Sequence, residues 1–171
     1  DFFERAVVRR LICYLSDNIL PLYMTLFMKL KEDKQEEIDA TLVKIQENWS
    51  NFVAHSTLST GTKFLFGNVL NLLDYAALPF LNNGEITLRK IMNRNLFESK
   101  EPKTQENLNL LKKYFEFAKE NTDFLTVNNK VRTLPSEEKD PVIKSLGMTT
   151  LEKYDYEEYI TEHYKKAFLG K

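Results

Sequence analysis

The segment "NVLNLLDYAALPFL", Asn68 to Leu81, places one carboxylate, that of Asp74, among mostly apolar residues. Burying a carboxylate in such surroundings costs free energy unless hydrogen bonds hold it. Asn71 is a favourable N-cap, and Asp74 can accept a hydrogen bond from the backbone N–H of Asn71, as in a capping box. Leu70 and Tyr75 occupy the positions of a hydrophobic staple. We therefore predict a buried helix that begins after Asn71, with Asp74 as a folding residue and not an acid–base catalyst.

On the N-terminal side of this segment, the apolar periodicity predicts two helices. Apolar residues recur through residues 1–30, so we expect one long helix, kinked at Pro21. Around "ILPLYMTLFM", residues 19–28, it is apolar over much of its circumference, so we expect it to be buried on more than one side. A charged turn at residues 29–37 leads into a second helix, residues 35–55. This helix has a single apolar stripe, and Trp49 belongs to it as a core residue. The short connection makes the two helices antiparallel neighbours.

On the C-terminal side, Gly84 in "NNGE" is expected to end the helix that begins after Asn71. Residues 86–97 are less regular but read as helical, and residues 105–121 form a regular amphipathic helix. The tyrosine-rich tail from Thr150 is expected to form a last helix that lies across the body. Since no alternating strand pattern occurs, the fold class is all-α, a bundle of about five to seven helices.

Length and composition favour a globular domain. A chain of 171 residues that is 43% hydrophobic can bury a sizeable core, and a net charge of −1 gives no bulk attraction to nucleic acid. No apolar run approaches the roughly 20 residues that span a bilayer, so we predict no membrane span. The sequence begins at Asp1 without Met or a signal-peptide pattern, so we expect a processed chain or one domain of a longer protein.

Cys13 is the single cysteine, so the chain has no internal disulfide and no Cys/His cluster for zinc. This is compatible with a reducing compartment, and we expect an intracellular, cytoplasmic protein, with an organelle such as the mitochondrion as the alternative. Cys13 has no His within one helical turn and is interpreted as a buried structural thiol. His55 and His163 are isolated in the sequence, and we predict no metal site.

The capped helix, introduced by "KFLFGN", resembles the central helix of the C-terminal helical domain of glutathione transferases. In that family an S/T-x-x-D box opens the helix, and here the box reads Asn71-Leu72-Leu73-Asp74, with Asn in place of the hydroxyl residue. "LDYAALPFL" is most similar to the omega and related classes, in which an aromatic residue follows the Asp and a proline lies further on. The stretches "SDNILPLY" and "ENLNLLKKYFEFAKEN" and a terminal aromatic helix follow the family's order.

The resemblance implies a glutathione-transferase C-terminal-like core over residues 1–130. Residues 131–171 would be an extension whose terminal aromatic helix packs on that core. In the family, glutathione is held mainly by an N-terminal thioredoxin-like domain, which also supplies the activating residue. This chain alone would therefore have no catalytic residue and no cofactor. Glutathione would be bound as a cofactor only if such an N-terminal domain is present.

The helical domain of this family supplies the wall for the hydrophobic co-substrate. By resemblance, Arg9, Arg10 and Tyr14 of the first helix are candidates for this wall, and the alternative is helix surface and core. Tyr154 and Tyr156 are candidates to cover an apolar pocket, or else they anchor the tail by burying their rings.

Two functions stay open at this point. The first is the helical half of an omega-like glutathione transferase or thiol-dependent reductase, with a thioredoxin-like domain as partner and a possible homodimer. The second is a non-catalytic scaffold or interaction module that binds another protein subunit of a larger assembly. Nucleic-acid binding is a third idea, and the lack of a basic stripe argues against it.

Overall fold

The computed structural model describes residues 2–32, 34–122 and 156–169, which are largely helical and contain no strand. The helices in chain order are α1 (Phe2–Tyr14), α2 (Leu20–Lys31), α3 (Gln35–Ala54), α4 (Leu72–Lys90), α5 (Pro102–Asn121) and α6 (Tyr156–Tyr164). Two π-helical turns, Leu15–Ile19 and Lys165–Leu169, and a short 3₁₀ turn, Leu58–Thr60, complete the elements. The predicted all-α bundle is confirmed.

The predicted long first helix consists of α1 and α2 joined by the π-helical turn Leu15–Ile19. Pro21 lies in the first turn of α2 and has no N–H to donate. The N–H of Leu20 donates to the carbonyl of Leu15, five residues earlier, which is the π-helical pattern. The irregularity that we predicted at Pro21 therefore takes the form of a wider turn just before it.

The expectation that this helix is buried on more than one side was wrong for α2. Its buried face consists of Tyr23, Leu26 and Phe27, which lie toward α3 and the Lys165–Leu169 turn. A second face, Leu20, Met24 and Met28, stays exposed. Apolar composition around the whole circumference does not ensure neighbours on every side, and α2 has packed only one of its apolar faces.

The segment Phe2–Lys31 is long and apolar enough to cross a membrane by length and composition. A third of its most apolar window is buried inside the fold. This is weak evidence for a span, because a core helix and a signal sequence both pass the same test. The sequence-based prediction of no membrane span stays a prediction.

Helix α4 packs against α1 and α6, and its Leu73, Leu78 and Leu81 are fully buried. The prediction that Gly84 ends this helix was wrong, because α4 continues to Lys90. A Cβ atom at Gly84 would overlap the side chain of Tyr23, so glycine allows α4 to approach α2 closely. Residues 86–90 therefore belong to α4, and residues 91–101 form a loop and not a further helix.

A buried glutamine holds this 91–101 loop against α3. The Gln46 side-chain nitrogen Nε2 lies 3.2 Å from the carbonyl oxygens of Asn95 and Leu96 and 2.7 Å from that of Glu98. Arg94 in the same loop donates from Nε to Asp39 Oδ1 of α3 at 2.6 Å. The loop is thus fixed by side chains of α3, although it has no regular structure of its own.

Helices α3 and α5 follow the predicted periodicity. Trp49 is fully buried in α3, as expected of a core residue. Helix α5 begins at Pro102, earlier than predicted, because the Glu101 carboxylate caps it by accepting from the N–H groups of Lys103 and Thr104.

At the C-terminal end, α6 packs against α4, and the Lys165–Leu169 turn packs against α2. The Tyr164 ring lies 4.9 Å from the Phe27 ring, measured between centroids. The predicted domain division at residue 130 lies outside the described residues and stays a prediction.

Candidate functional site

A groove of about 450 Å³ lies between α1 and the C-terminal end of α3. Its more buried lining is apolar, contributed by Val7, Leu11 and Phe52. Its more exposed lining is polar and comprises Arg10, Cys13, Asp17, Asn18, Asn51 and His55, with Tyr14 half-buried between the two. An apolar floor with a polar rim suits a small, mainly apolar molecule.

The structure brings together two of the predicted wall residues and separates the third. Arg10 and Tyr14 both line the groove. Arg9 lies instead along a second cavity, of about 430 Å³, between α1 and the residues that precede α4. Tyr154 lies outside the described residues, and Tyr156 is the first residue of α6. Their predicted roles in covering a pocket stay predictions.

Tyr14 is held in place from α3. Its hydroxyl donates to Asn48 Oδ1 at 2.7 Å, and its ring lies 6.4 Å from the Phe52 ring, between centroids. Burial raises the pKa of Tyr14 above its ordinary value, so the hydroxyl stays protonated near neutral pH. Tyr14 therefore offers the groove a fixed, uncharged aromatic surface.

Cys13 is exposed and lines the groove, so the prediction of a buried structural thiol was wrong. Leu11 and Leu15 point into the core from α1 and the following turn, while Cys13 shares the outer face with Arg10 and Asp17. Residues three or four apart share a helix face. The polar residues Arg10 and Asp17, three before Cys13 and four after it, therefore indicated an exposed position, and we missed that signal.

His55 also lines the groove, from the end of α3. Its Nδ1 lies 2.7 Å from the carbonyl oxygen of Asn51, which orients the ring. Across residues 2–32, 34–122 and 156–169, no group of three or more His, Cys, Asp or Glu side chains could hold a metal ion.

The capping box predicted at the start of α4 is present. Asp74 Oδ2 accepts from the N–H of Asn71 at 2.9 Å, and Asn71 Oδ1 accepts from the N–H of Leu73 at 2.9 Å. Asp74 Oδ1 also accepts from the N–H of Leu65 at 3.0 Å, a contact that sequence reasoning missed. One buried carboxylate thus fixes the helix start and the loop before it, which is a structural role.

The staple at this helix start is less complete. Leu70 packs against the core, whereas Tyr75 is 54% exposed. The paired contact of Leu70 and Tyr75 therefore stays a prediction, and Tyr75 presents most of its ring to the surface.

Burial raises the pKa of Asp74 above its ordinary 3.8, and the hydrogen bonds from the Leu65 and Asn71 N–H groups oppose this shift. Since the raised pKa belongs to the folded state, the folded protein binds this proton before the unfolded chain does as the pH falls. We expect wild type to gain free energy of unfolding relative to Asp74→Asn as the pH falls from neutrality through the raised pKa toward 3.8. Urea unfolding of both proteins along a pH series measures this difference. If Asp74→Asn instead gains free energy of unfolding relative to wild type as the pH falls, folding lowers the pKa of Asp74.

A further cavity of about 720 Å³ lies between the end of α4, the 91–101 loop and α5. Two of its arginines are already paired, Arg89 with Glu85 at 2.5 Å and Arg94 with Asp39 at 2.6 Å. Among the described wall candidates of α1, Arg9, Arg10 and Tyr14 do not line it. Its charges are mixed and its arginines are engaged, so the groove beside α1 is the better candidate site.

Comparison of the chain with models of protein families, with curated proteins and with solved structures gave no match. The resemblance to glutathione transferases therefore stands on the sequence motifs, and the role of the groove stands on its own geometry.

Proposed function

We propose that this chain is the C-terminal helical domain of an omega-like glutathione-transferase-like protein. It forms the hydrophobic wall of the co-substrate site and a subunit-contact surface, and it supplies no catalytic residue of its own. The observation that carries the proposal is the start of α4, where the Asn71–Asp74 box holds the preceding "KFLFGN" loop through the Leu65 N–H. Asn71 and Asp74, which carry the resemblance, are thus the residues that form the capping box.

The groove beside α1 supports the role of a co-substrate wall. Its apolar floor would take the hydrophobic part of an electrophile, and the fixed ring of Tyr14 would limit how that molecule turns. Its volume of about 450 Å³ lies within the range of small-molecule sites. Holding the electrophile in one orientation beside a thiol accelerates the reaction without any chemistry from the wall itself.

Glutathione and its activating residue belong, in this proposal, to a thioredoxin-like domain before Asp1. The reaction transfers the glutathionyl group: the thiolate sulfur forms a bond to the electrophilic carbon, and the halide and the thiol proton leave. In the reductase version a thiolate attacks a glutathione mixed disulfide and displaces the second sulfur as a thiolate. The chain described here then binds and orients, and it is inactive when expressed alone.

The test uses the two-domain protein and the Tyr14→Ala variant. We expect the KM for an apolar aryl halide to rise by about 3- to 10-fold, the loss of about 1 kcal/mol of contact, with the KM for glutathione unchanged. Tyr14→Phe keeps the ring and should retain a KM near wild type. Met24→Ala, at an exposed position on α2, is the control for surface changes. If Tyr14→Ala leaves the KM for the aryl halide unchanged, the groove does not form the co-substrate wall.

A second candidate function is a non-catalytic scaffold or interaction module attached to another subunit. The exposed stripe of Leu20, Met24 and Met28 on α2 favours it, because contiguous exposed apolar side chains often mark protein contacts. Purification of the native protein separates the two functions. Transferase activity in a free monomer or simple homodimer would argue against the scaffold.

A further inference from the structure

The cavity of about 720 Å³ between the end of α4, the 91–101 loop and α5 shares no lining residue with the groove beside α1. We call it the α5 cavity. The buried part of its lining, which forms a floor, is apolar: Leu42, Leu96, Phe97 and Phe115. The rings of Phe97 and Phe115 lie 6.1 Å apart between centroids. The floor of the α5 cavity therefore suits a large apolar or aromatic side chain.

The backbone of the 91–101 loop has occupied carbonyl oxygens and open N–H groups. Side chains of Gln46, Gln105 and Arg94 donate to the carbonyl oxygens of residues 92, 93 and 95–98. By contrast, three N–H groups in the cavity lining donate to no residue that the structure describes, those of Asn93, Asn95 and Leu96. A loop whose acceptors are engaged and whose donors are open favours a negatively charged partner.

Lys119 of α5 carries an unpaired positive charge beside the apolar floor. Its Nζ lies 4.9 Å from the centroid of the Phe115 ring, and it forms no salt bridge with any described residue. The other half-buried charged residues of the lining, Glu85 and Arg94, each have a partner of opposite charge. The rest of the charged lining is exposed, where water solvates it: Arg89, Glu98, Lys112 and Glu116. The floor is therefore bordered by one uncompensated positive charge.

We propose that the α5 cavity is a docking site for the carboxyl-terminal residue of a partner polypeptide, where that residue has a large apolar or aromatic side chain. The side chain lies on the floor, and the terminal carboxylate accepts from Lys119 Nζ and from the open N–H groups of the loop. Capture of a terminal carboxylate by backbone N–H groups is a recurring mode of peptide recognition. The exposed rim carries both signs of charge, which suits the polar backbone of the residues before the carboxyl terminus. The inference does not depend on the co-substrate role proposed for the groove beside α1.

The test measures binding of a fluorescein-labelled tripeptide that ends in phenylalanine to the full-length protein, by fluorescence anisotropy. Two matched peptides carry the same label: one ends in the carboxamide of phenylalanine, and the other ends in alanine with a free carboxylate. We expect saturable binding of the first peptide and at least about tenfold weaker binding of each matched peptide. No saturable binding at millimolar concentration, or equal binding of the acid and the carboxamide, would overturn the inference.

The variant Lys119→Met tests the residue that should hold the carboxylate, because methionine keeps an unbranched side chain and removes the charge. Its affinity for the acid should fall to that for the carboxamide, while its affinity for the carboxamide stays that of wild type, which shows that the cavity is intact. The matched control is Lys113→Met, an exposed lysine of α5 outside the lining, and it should change neither affinity. A preference for the acid that survives in Lys119→Met would contradict the assignment.

A last comparison distinguishes a polypeptide from a free small acid. N-acetylphenylalanine has the same side chain and carboxylate but lacks the preceding residues, so in competition with the labelled peptide it should bind at least about tenfold more weakly than the unlabelled tripeptide. Equal affinity would mean that the α5 cavity takes small organic acids, and the docking of a polypeptide would be overturned.

Discussion

Replacement of Asp74 by alanine is expected to lower the free energy of unfolding by about 2–5 kcal/mol. The Asp74 carboxylate is fully buried and accepts from the N–H groups of Leu65 and Asn71. Alanine leaves the buried N–H of Leu65 and the part-buried N–H of Asn71 without this acceptor, and an orphaned buried group costs about 1–3 kcal/mol. The substitution removes a hydrogen bond to the loop before α4 as well as one at the helix start. The loss of free energy of unfolding should therefore exceed that for an ordinary helix cap.

Thermal and urea unfolding measure this effect, and Tm should fall by about 4–20 °C at about 2–4 °C for each kcal/mol. Glu101→Ala is the matched control, because Glu101 also caps a helix through two N–H groups but is exposed to solvent. Water can replace the carboxylate there, so its loss should be clearly smaller. Equal losses in the two variants, or no loss in Asp74→Ala, would contradict the role we give to Asp74.

Gly84→Ala is expected to destabilise the protein by about 1–3 kcal/mol, although alanine favours a helix over glycine by about 1 kcal/mol. The new Cβ would lie 2.7 Å from Cε1 of the Tyr23 ring and nearer still to its Cζ and hydroxyl oxygen. Tyr23 is buried and accepts from Trp49 Nε1 at 3.2 Å, so the ring cannot move aside freely. The overlap therefore outweighs the gain in helix propensity.

A double-mutant cycle separates these two contributions. In a Tyr23→Ala background the overlap is gone, and Gly84→Ala should become neutral or stabilising by up to about 1 kcal/mol. In a Tyr23→Phe background the ring remains, and the substitution should stay destabilising. If Gly84→Ala costs the same in all three backgrounds, close packing of α2 on α4 is not the reason for the glycine.

The helices themselves could be predicted because their signals are local. The apolar stripe of α3 and the Asn71–Asp74 box each lie within a few residues of sequence, and both are found where expected. Gly84 was misread because the same residue serves helix ends and close helix contacts. Only the approach of Tyr23, from a distant part of the chain, distinguishes the two.

The candidate site could be predicted only in part for the same reason. The resemblance selected Arg10 and Tyr14, which do share a groove. His55 joins them from the end of α3, a neighbour that appears only after α1 and α3 have packed. The second partner of Asp74 is the N–H of Leu65, a backbone group in an irregular loop. Every residue except proline has such a group, so no pattern of side chains in the sequence predicts this contact.

We propose above all that this chain is the C-terminal helical domain of a protein whose N-terminal domain is thioredoxin-like. The most direct measurement is the sequence of the transcript upstream of the codon for Asp1. We predict an open reading frame that continues upstream and encodes alternating strands and helices of a thioredoxin-like domain. A reading frame that starts at or near Asp1, or one that encodes an unrelated fold before it, would contradict the claim.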